Sequence, residues 1–154
     1  MRDVVQINGS IVLYEDNGES LKKAIYSFLN TSLSVKLYLV DNSRTSRLKY
    51  LEKLDNRIVY IYNNSNVGFG KAHNIALQKS IEESVPYHLV LNPDIYFDSG
   101  VLEELFDFME KNKDVANVMP KVFYPNQELQ YLCKLLPTPK ELIARRFIKN
   151  DETI

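Results

Sequence analysis

The sequence predicts an α/β domain built on a mostly parallel sheet with helices packed on it. Two observations carry this expectation. Short β-rich apolar runs alternate with segments of helical periodicity at roughly 30-residue spacing, the pattern of βαβ units. Most of the runs also stop abruptly at Asp or Asn, residues suited to the loops beyond a strand.

The elements follow in order. "SIVLY" (Ser10–Tyr14) reads as the first strand. In "EDNGESLKKAIYSFLNT" the residues Leu21, Ala24, Ile25, Phe28 and Leu29 recur at helical spacing, and Asp16 with Glu19 suggests a capping box. "VKLYLVDN" is a second strand ending at Asp41 and Asn42. "RTSRLKYLEKLD" is a short helix with Leu48, Leu51 and Leu54 inward, and "RIVYIYN" is a third strand. "GKAHNIALQKSIEES" is a helix burying Ala72, Ile75 and Ala76, and "YHLVLN" is a fourth strand. "SGVLEELFDFMEKN" is a helix capped by Asp98 or Ser99. "VANVMPKVFY" is a fifth extended run bent or edged by Pro120, and "NQELQYL" is a short strand after it. Thr138, Pro139 and Glu141 mark a strong helix start in "TPKELIARRFIKN".

Composition narrows the function. The 154 residues match one domain, and a formal net charge of −1 with mixed signs gives no footprint for nucleic acid. Cys133 is the single cysteine, and His73 and His88 are the only histidines, which argues against a disulfide framework and a zinc site. "MRDVVQINGS" lacks the apolar stretch of a signal peptide, and no apolar run is long enough for a bilayer, so a cytoplasmic setting is expected.

Ligands of open α/β sheets gather beyond the carboxyl ends of the strands, so the strand exits are the places to look. Asp41 and Asn42 close "YLVDNS"; they suit a turn, or a carboxylate that accepts a hydrogen bond from a base. In "NNSNVGFGKAHN" Gly68 and Gly70 flank Phe69 just before a helix, whose N-terminus offers N–H groups to an anion, and Lys71 adds a charge. Two nucleotide motifs fail here. A Walker loop needs Gly at Ser65 and Ser or Thr at Ala72, and a dinucleotide fingerprint needs a small residue at His73. "LNPDIYF" places Asn92 and Asp94 after the fourth strand; this is good turn chemistry, and equally a lone carboxylate suited to Mg²⁺ or Mn²⁺ completed by phosphates and water. A phospho-acceptor reading fails, because the third strand ends in Asn63 and Asn64 where it needs an Asp.

Taken in order, "IVLYEDNGESLKKAIYSFL", "LYLVDNS", "NNSNVGFGKAHNIAL" and "YHLVLNPDIYF" resemble the N-terminal half of family 2 glycosyltransferases of GT-A fold, closest to the rhamnosyltransferase-like subgroup of O-antigen and capsule assembly. The resemblance covers about residues 10–123 and implies a nucleotide-sugar-binding core there, within one truncated domain over 1–154. It implies that Tyr14 lines the base pocket, that Asp41 with Asn42 meets the base, and that Gly68, Phe69, Gly70, Lys71 and Asn74 shape the donor pocket. Asn92 and Asp94 would stand for the family's Asp-x-Asp signature, with Asp94 at the metal position for Mg²⁺ or Mn²⁺. The implied partners are a dTDP- or UDP-sugar and a saccharide or polyprenyl-linked acceptor, and the implied transfer is inverting.

Such transfer needs a carboxylate base, which in the family lies well after the Asp-x-Asp region. Nothing after Pro125 matches that segment, so the expectation is a donor-binding half, weakly active or inactive alone, with a non-catalytic nucleotide-sugar-binding module as the alternative. Residues 137–149 read as an amphipathic helix whose Arg145, Arg146 and Lys149 suit either packing on the protein or peripheral attachment to the cytoplasmic face of the inner membrane.

Overall fold

Strand β1 (Ile7–Leu13) forms the centre of the sheet, and all seven of its residues are buried. It pairs in parallel with β2 (Val35–Asp41) on one side and β4 (Tyr87–Leu91) on the other, and β3 (Ile58–Tyr62) adds to β2, also in parallel. The order is β3-β2-β1-β4. The computed structural model describes residues 4–15 and 18–132. They fall in two compact units, Met1–Ala116 and Asn117–Ile154.

The first strand starts three residues earlier than the sequence pattern suggests and ends at Leu13. Asn8 and Gly9 look like turn formers but have partners inside the sheet. Asn8 Nδ2 donates to Ser80 Oγ at 3.0 Å and to Glu83 Oε2 at 3.3 Å. Gly9 makes room for a ring, since a Cβ there would lie 2.6 Å from Phe28 Cζ.

The two faces of the sheet differ because side chains alternate along each strand. One face is apolar: Ile7, Ile11, Leu13, Leu37 and Leu39 pack with Leu21, Ala24, Ile25 and Phe28 of helix α1 (Glu19–Leu29). Leu102 of α3 (Val101–Lys111) joins the same core. The other face carries helix α2 (Phe69–Glu82), where Val12, Tyr38 and Val40 meet Ala72 and Ala76. Below that small apolar cluster the contact is polar. Ser10 Oγ lies 2.7 Å from His73 Nδ1 and 2.7 Å from His88 Nε2, and His88 Nδ1 lies 2.7 Å from Ser80 Oγ. Glu83 continues the chain by accepting from Tyr38 Oη and Lys36 Nζ, each at 2.7 Å. Buried polar groups need such partners to offset the loss of water.

Three local expectations change. Residues 47–54 form a 3-10 helix (Arg47–Leu54). Leucines at 48, 51 and 54 are spaced three apart, the period of that tighter helix, and Leu48 and Leu51 are buried while Leu54 is partly exposed. α3 is preceded by Gly100 in the left-handed conformation (φ 94°) rather than by a side-chain cap from Asp98 or Ser99. α1 has Gly18 at its cap position; Asp16 lies outside the described residues.

In the second unit the expected fifth run narrows to β5 (Val122–Phe123), paired antiparallel with β6 (Leu129–Gln130). Tyr124 and Glu128 close the hairpin, with Tyr124 N–H donating to the Glu128 carbonyl at 2.8 Å. The predicted helix over 137–149 lies outside the described residues. Among the described residues no helix is long and apolar enough to cross a membrane.

Candidate functional site

The chain runs β1, β2, β3 in one direction across the sheet and then returns to place β4 on the other side of β1. The topological switch point therefore lies between β1 and β4, and a ligand crevice is expected beyond their carboxyl ends. A cleft of about 480 Å³ sits there, lined by Val12, Tyr14, Asn42, Asn66, Phe69 and Pro93. Tyr14 follows β1, Asn42 follows β2, Pro93 follows β4, and Phe69 opens α2.

Two aromatic side chains stand half-exposed at this cleft, Tyr14 at 50% and Phe69 at 53%. Phe69 is braced from below by His73, whose ring meets it edge-on at 4.4 Å between centroids. Asn42 is buried and held by an amide ladder. Asn63 Nδ2 donates to Asn42 Oδ1 at 2.8 Å, and Asn42 Nδ2 faces Asn66 Oδ1 at 3.5 Å and the Gly68 carbonyl at 3.4 Å. Asn66 Oδ1 also accepts from Gly68 N–H at 3.0 Å. Gly68 has φ 88°, a conformation that side chains resist, and it turns the chain from this ladder into α2.

The exits of β1 and β2 are tied together by Glu15, which adopts φ 52°. Its N–H donates to Ser43 Oγ at 2.8 Å, its Oε1 accepts from Arg44 N–H at 2.9 Å, and its Oε2 lies 3.2 Å from Arg47 Nη2. Asp41 closes β2 fully buried. Its Oδ1 accepts from Ser43 N–H at 2.8 Å and its Oδ2 accepts from the Tyr60 hydroxyl. Burial, and then the bond to Asp41, push the Tyr60 phenol above its ordinary range.

Of the residues singled out from the sequence, Tyr14, Asn42 and Phe69 line the cleft. Asp41 lies behind it, enclosed by Ser43 and Tyr60. Gly70, Lys71 and Asn74 are exposed on the first turns of α2, where the leading N–H groups of a helix lack intrahelical partners. Asn92 and Asp94 are exposed on either side of Pro93, and the Asn92 carbonyl accepts from Ile95 N–H at 3.3 Å. Asp94 makes no hydrogen bond or ion pair among the described residues. His73 is buried against Ser10; burial holds its pKa below the usual value, and its Nε2 has no partner among the described residues.

The family model of Glycosyl transferase family 2 matches residues 11–152. The chain belongs to glycosyl transferase family 2. A curated relative, the uncharacterized glycosyltransferase MJ1057 of Methanocaldococcus jannaschii, is 24% identical over 149 residues. That match covers 92% of this chain and 50% of the relative, so the chain spans about half the relative's length. Among solved structures, S. aureus TarS superimposes with a TM-score of 0.60 at 17% identity, covering 71% of this chain and 20% of that one. S. aureus TarS 1-349 in complex with UDP gives 0.57 at 18% identity, covering 71% and 33%. The fold is the GT-A type expected from the resemblance, with a parallel sheet flanked by helices.

The family implies a divalent ion, and the donor set can be tested for it. Among the described residues no three His, Cys, Asp or Glu side chains group as a metal cage. A single unengaged carboxylate beside the cleft fits a hard ion that takes its other ligands from phosphates and water. Asn63, Asn66 and Pro93 join the cleft and its ladder; they lie inside the strand-exit stretches "NNSNVGFGKAHN" and "LNPDIYF", but no individual role is expected of them, since turn formers are ordinary in a loop.

Proposed function

We propose that these residues form the nucleotide-sugar-binding part of a family 2 glycosyltransferase that moves a sugar, with rhamnose the favoured case, to a saccharide or polyprenyl-linked acceptor in cell-surface polysaccharide assembly. The observation that carries the reading is the cleft at the switch point between β1 and β4, with Asp94, next to the lining residue Pro93, free of partners among the described residues, in a chain of this family. The UDP complex of the TarS neighbour supports a nucleotide as ligand.

Each part has a chemical task in this reading. Tyr14 and Phe69 give apolar ring surface for a base, and Asn42 with Asn66 gives it polar contacts. The start of α2, with Gly70 and Lys71, faces the negative charge of the diphosphate, and Asn74 lies one turn on toward the sugar. Asn92 reaches a ribose hydroxyl. Asp94 holds Mg²⁺ or Mn²⁺, which when bound neutralises charge that grows on the leaving diphosphate. Asp41, buried behind the cleft, keeps the β2 exit rigid through its bonds to Ser43 and Tyr60. Transfer with inversion needs an acceptor-activating base as well, and we place it outside these residues. The setting is the cytoplasmic face of a membrane, where a lipid-linked acceptor is met.

Calorimetry with UDP and dTDP, with and without Mn²⁺, tests the reading. Binding that strengthens with the metal is expected. No binding of either nucleotide at millimolar concentration sinks it. A transfer assay then separates an enzyme from a module that only holds the donor: the 154-residue chain is expected to bind the donor yet transfer weakly.

A further inference from the structure

A half-exposed ring on a cleft wall loses freedom when a ligand stacks on it, so whatever holds it still beforehand raises affinity. Phe69 is such a ring, at the point where α2 opens on the cleft. Behind it stands the His73 ring, 4.4 Å away between centroids and inclined at 72°. His73 is buried, and its Nε2 has no partner among the described residues, so Nδ1 is the atom that anchors the imidazole. Nδ1 lies 2.7 Å from Ser10 Oγ, which also lies 2.7 Å from His88 Nε2. A hydroxyl has one hydrogen, so one of the two imidazoles must bring its own. Ser80 sets the order. Its Oγ donates to the Ala76 carbonyl at 3.3 Å and accepts from Asn8 Nδ2 at 3.0 Å, so His88 Nδ1, at 2.7 Å, is the donor of that pair. His88 Nε2 then accepts from the Ser10 hydroxyl, and His73 Nδ1 donates to Ser10.

We propose that His88 on β4 is a positioning residue for the cleft: through Ser10 it sets the His73 ring, and through that ring it holds Phe69 where a nucleotide base stacks. The inference rests on the nucleotide reading above and adds to it residues that touch no ligand. Turning the His73 imidazole about its Cβ–Cγ bond would carry Nδ1 away from Ser10 and leave buried polar groups unpaired, which is costly. The ring is thereby confined to one orientation. Phe69 and His73 are four apart on α2 and so share one face of the helix, one turn from each other. The confined imidazole is therefore the backing against which the Phe69 ring settles. If the polar chain served packing alone, its loss would alter binding only as far as it alters stability. If it positions Phe69, binding follows the Ser10 contact.

Two substitutions at His88 separate its ring nitrogens. In His88→Asn the amide reaches where Nδ1 stood and keeps Ser80, whereas in His88→Gln it reaches where Nε2 stood and keeps Ser10. Calorimetry with UDP and Mn²⁺ on the full 154-residue chain should show His88→Asn weakening binding by roughly three- to tenfold, with His88→Gln close to the unmodified protein. Ser10→Ala removes the same bridge from β1 and should reproduce the loss. In a Phe69→Leu background the difference between His88→Asn and His88→Gln should vanish, because no ring is left to hold. Urea unfolding of the same variants supplies the comparison. Equal binding by His88→Asn and His88→Gln, affinities that rank with unfolding stability instead of with the Ser10 contact, or a difference that survives in Phe69→Leu each overturn the proposal. Failure of the unmodified protein to bind UDP overturns the nucleotide reading first and this role with it.

Discussion

The Tyr60 hydroxyl on β3 donates to Asp41 Oδ2 at the end of β2, and Ser43 N–H occupies Oδ1 at 2.8 Å. A carboxylate without exposure is thus satisfied from two sides by the protein itself. Tyr60→Phe removes one partner and leaves a buried charged oxygen short of a hydrogen bond. The expected cost is about 1–3 kcal/mol in urea unfolding. A loss within error of zero would show that water or relaxation replaces the phenol.

Asp94 behaves in the opposite way, being exposed and without a partner among the described residues. Asp94→Asn should leave the unfolding midpoint within about 0.5 kcal/mol of the original. The Mn²⁺-dependent part of UDP binding should disappear. Retention of that metal dependence would remove Asp94 from the ion site.

Gly9→Ala probes the packing of β1 on α1. The added Cβ would meet the buried Phe28 ring at 2.6 Å. Overpacking of this kind costs about 1–3 kcal/mol. Gly9→Ala combined with Phe28→Leu should recover part of the loss, and a lack of recovery would locate the strain elsewhere.

Two groups set separate acid windows. Burial, then the neighbouring His73, hold the His88 pKa down to about 4 from an ordinary 6.5. Between those values the unfolded chain takes up a proton that the folded chain refuses. Stability from this group is complete above about pH 6.5 and is lost as pH falls toward 4. Glu103 is pulled down to about 2 by the Thr31 hydroxyl and the Ser32 N–H, so its contribution is present above about pH 4.5 and is lost toward pH 2. Thermal melts across pH should show His88→Gln flattening the upper window and Glu103→Gln flattening the lower. The same slopes in both variants as in the parent would reject the assignment.

Periodicity and strand exits made the sheet, its helices and the region of the cleft readable from sequence, because each depends on local pattern. The α2 underside was not readable. Asn8, Ser10, His73, Ser80 and His88 are polar residues that a pattern scan assigns to water, and only tertiary pairing explains their burial. The site divides in the same way. Tyr14 and Phe69 followed from their place beside exits, whereas Asn63 and Asn66 matter through mutual orientation, which a one-dimensional reading lacks. The 3-10 helix was legible in principle, since its leucines recur every three residues, but one short run does not separate that period from the ordinary one.

The hydrogen-bonded underside of α2 acts as a set of detents. Oily helix faces can slide by small steps with little penalty, but the Ser10, His73, His88 and Ser80 contacts have one alignment, and a slip of one turn, about 5.4 Å, breaks them together. Phe69 rides at the front of that helix, and Pro93 follows the strand that carries His88. The gap across the cleft mouth is therefore indexed from beneath the helix, by residues that need never touch what the cleft holds.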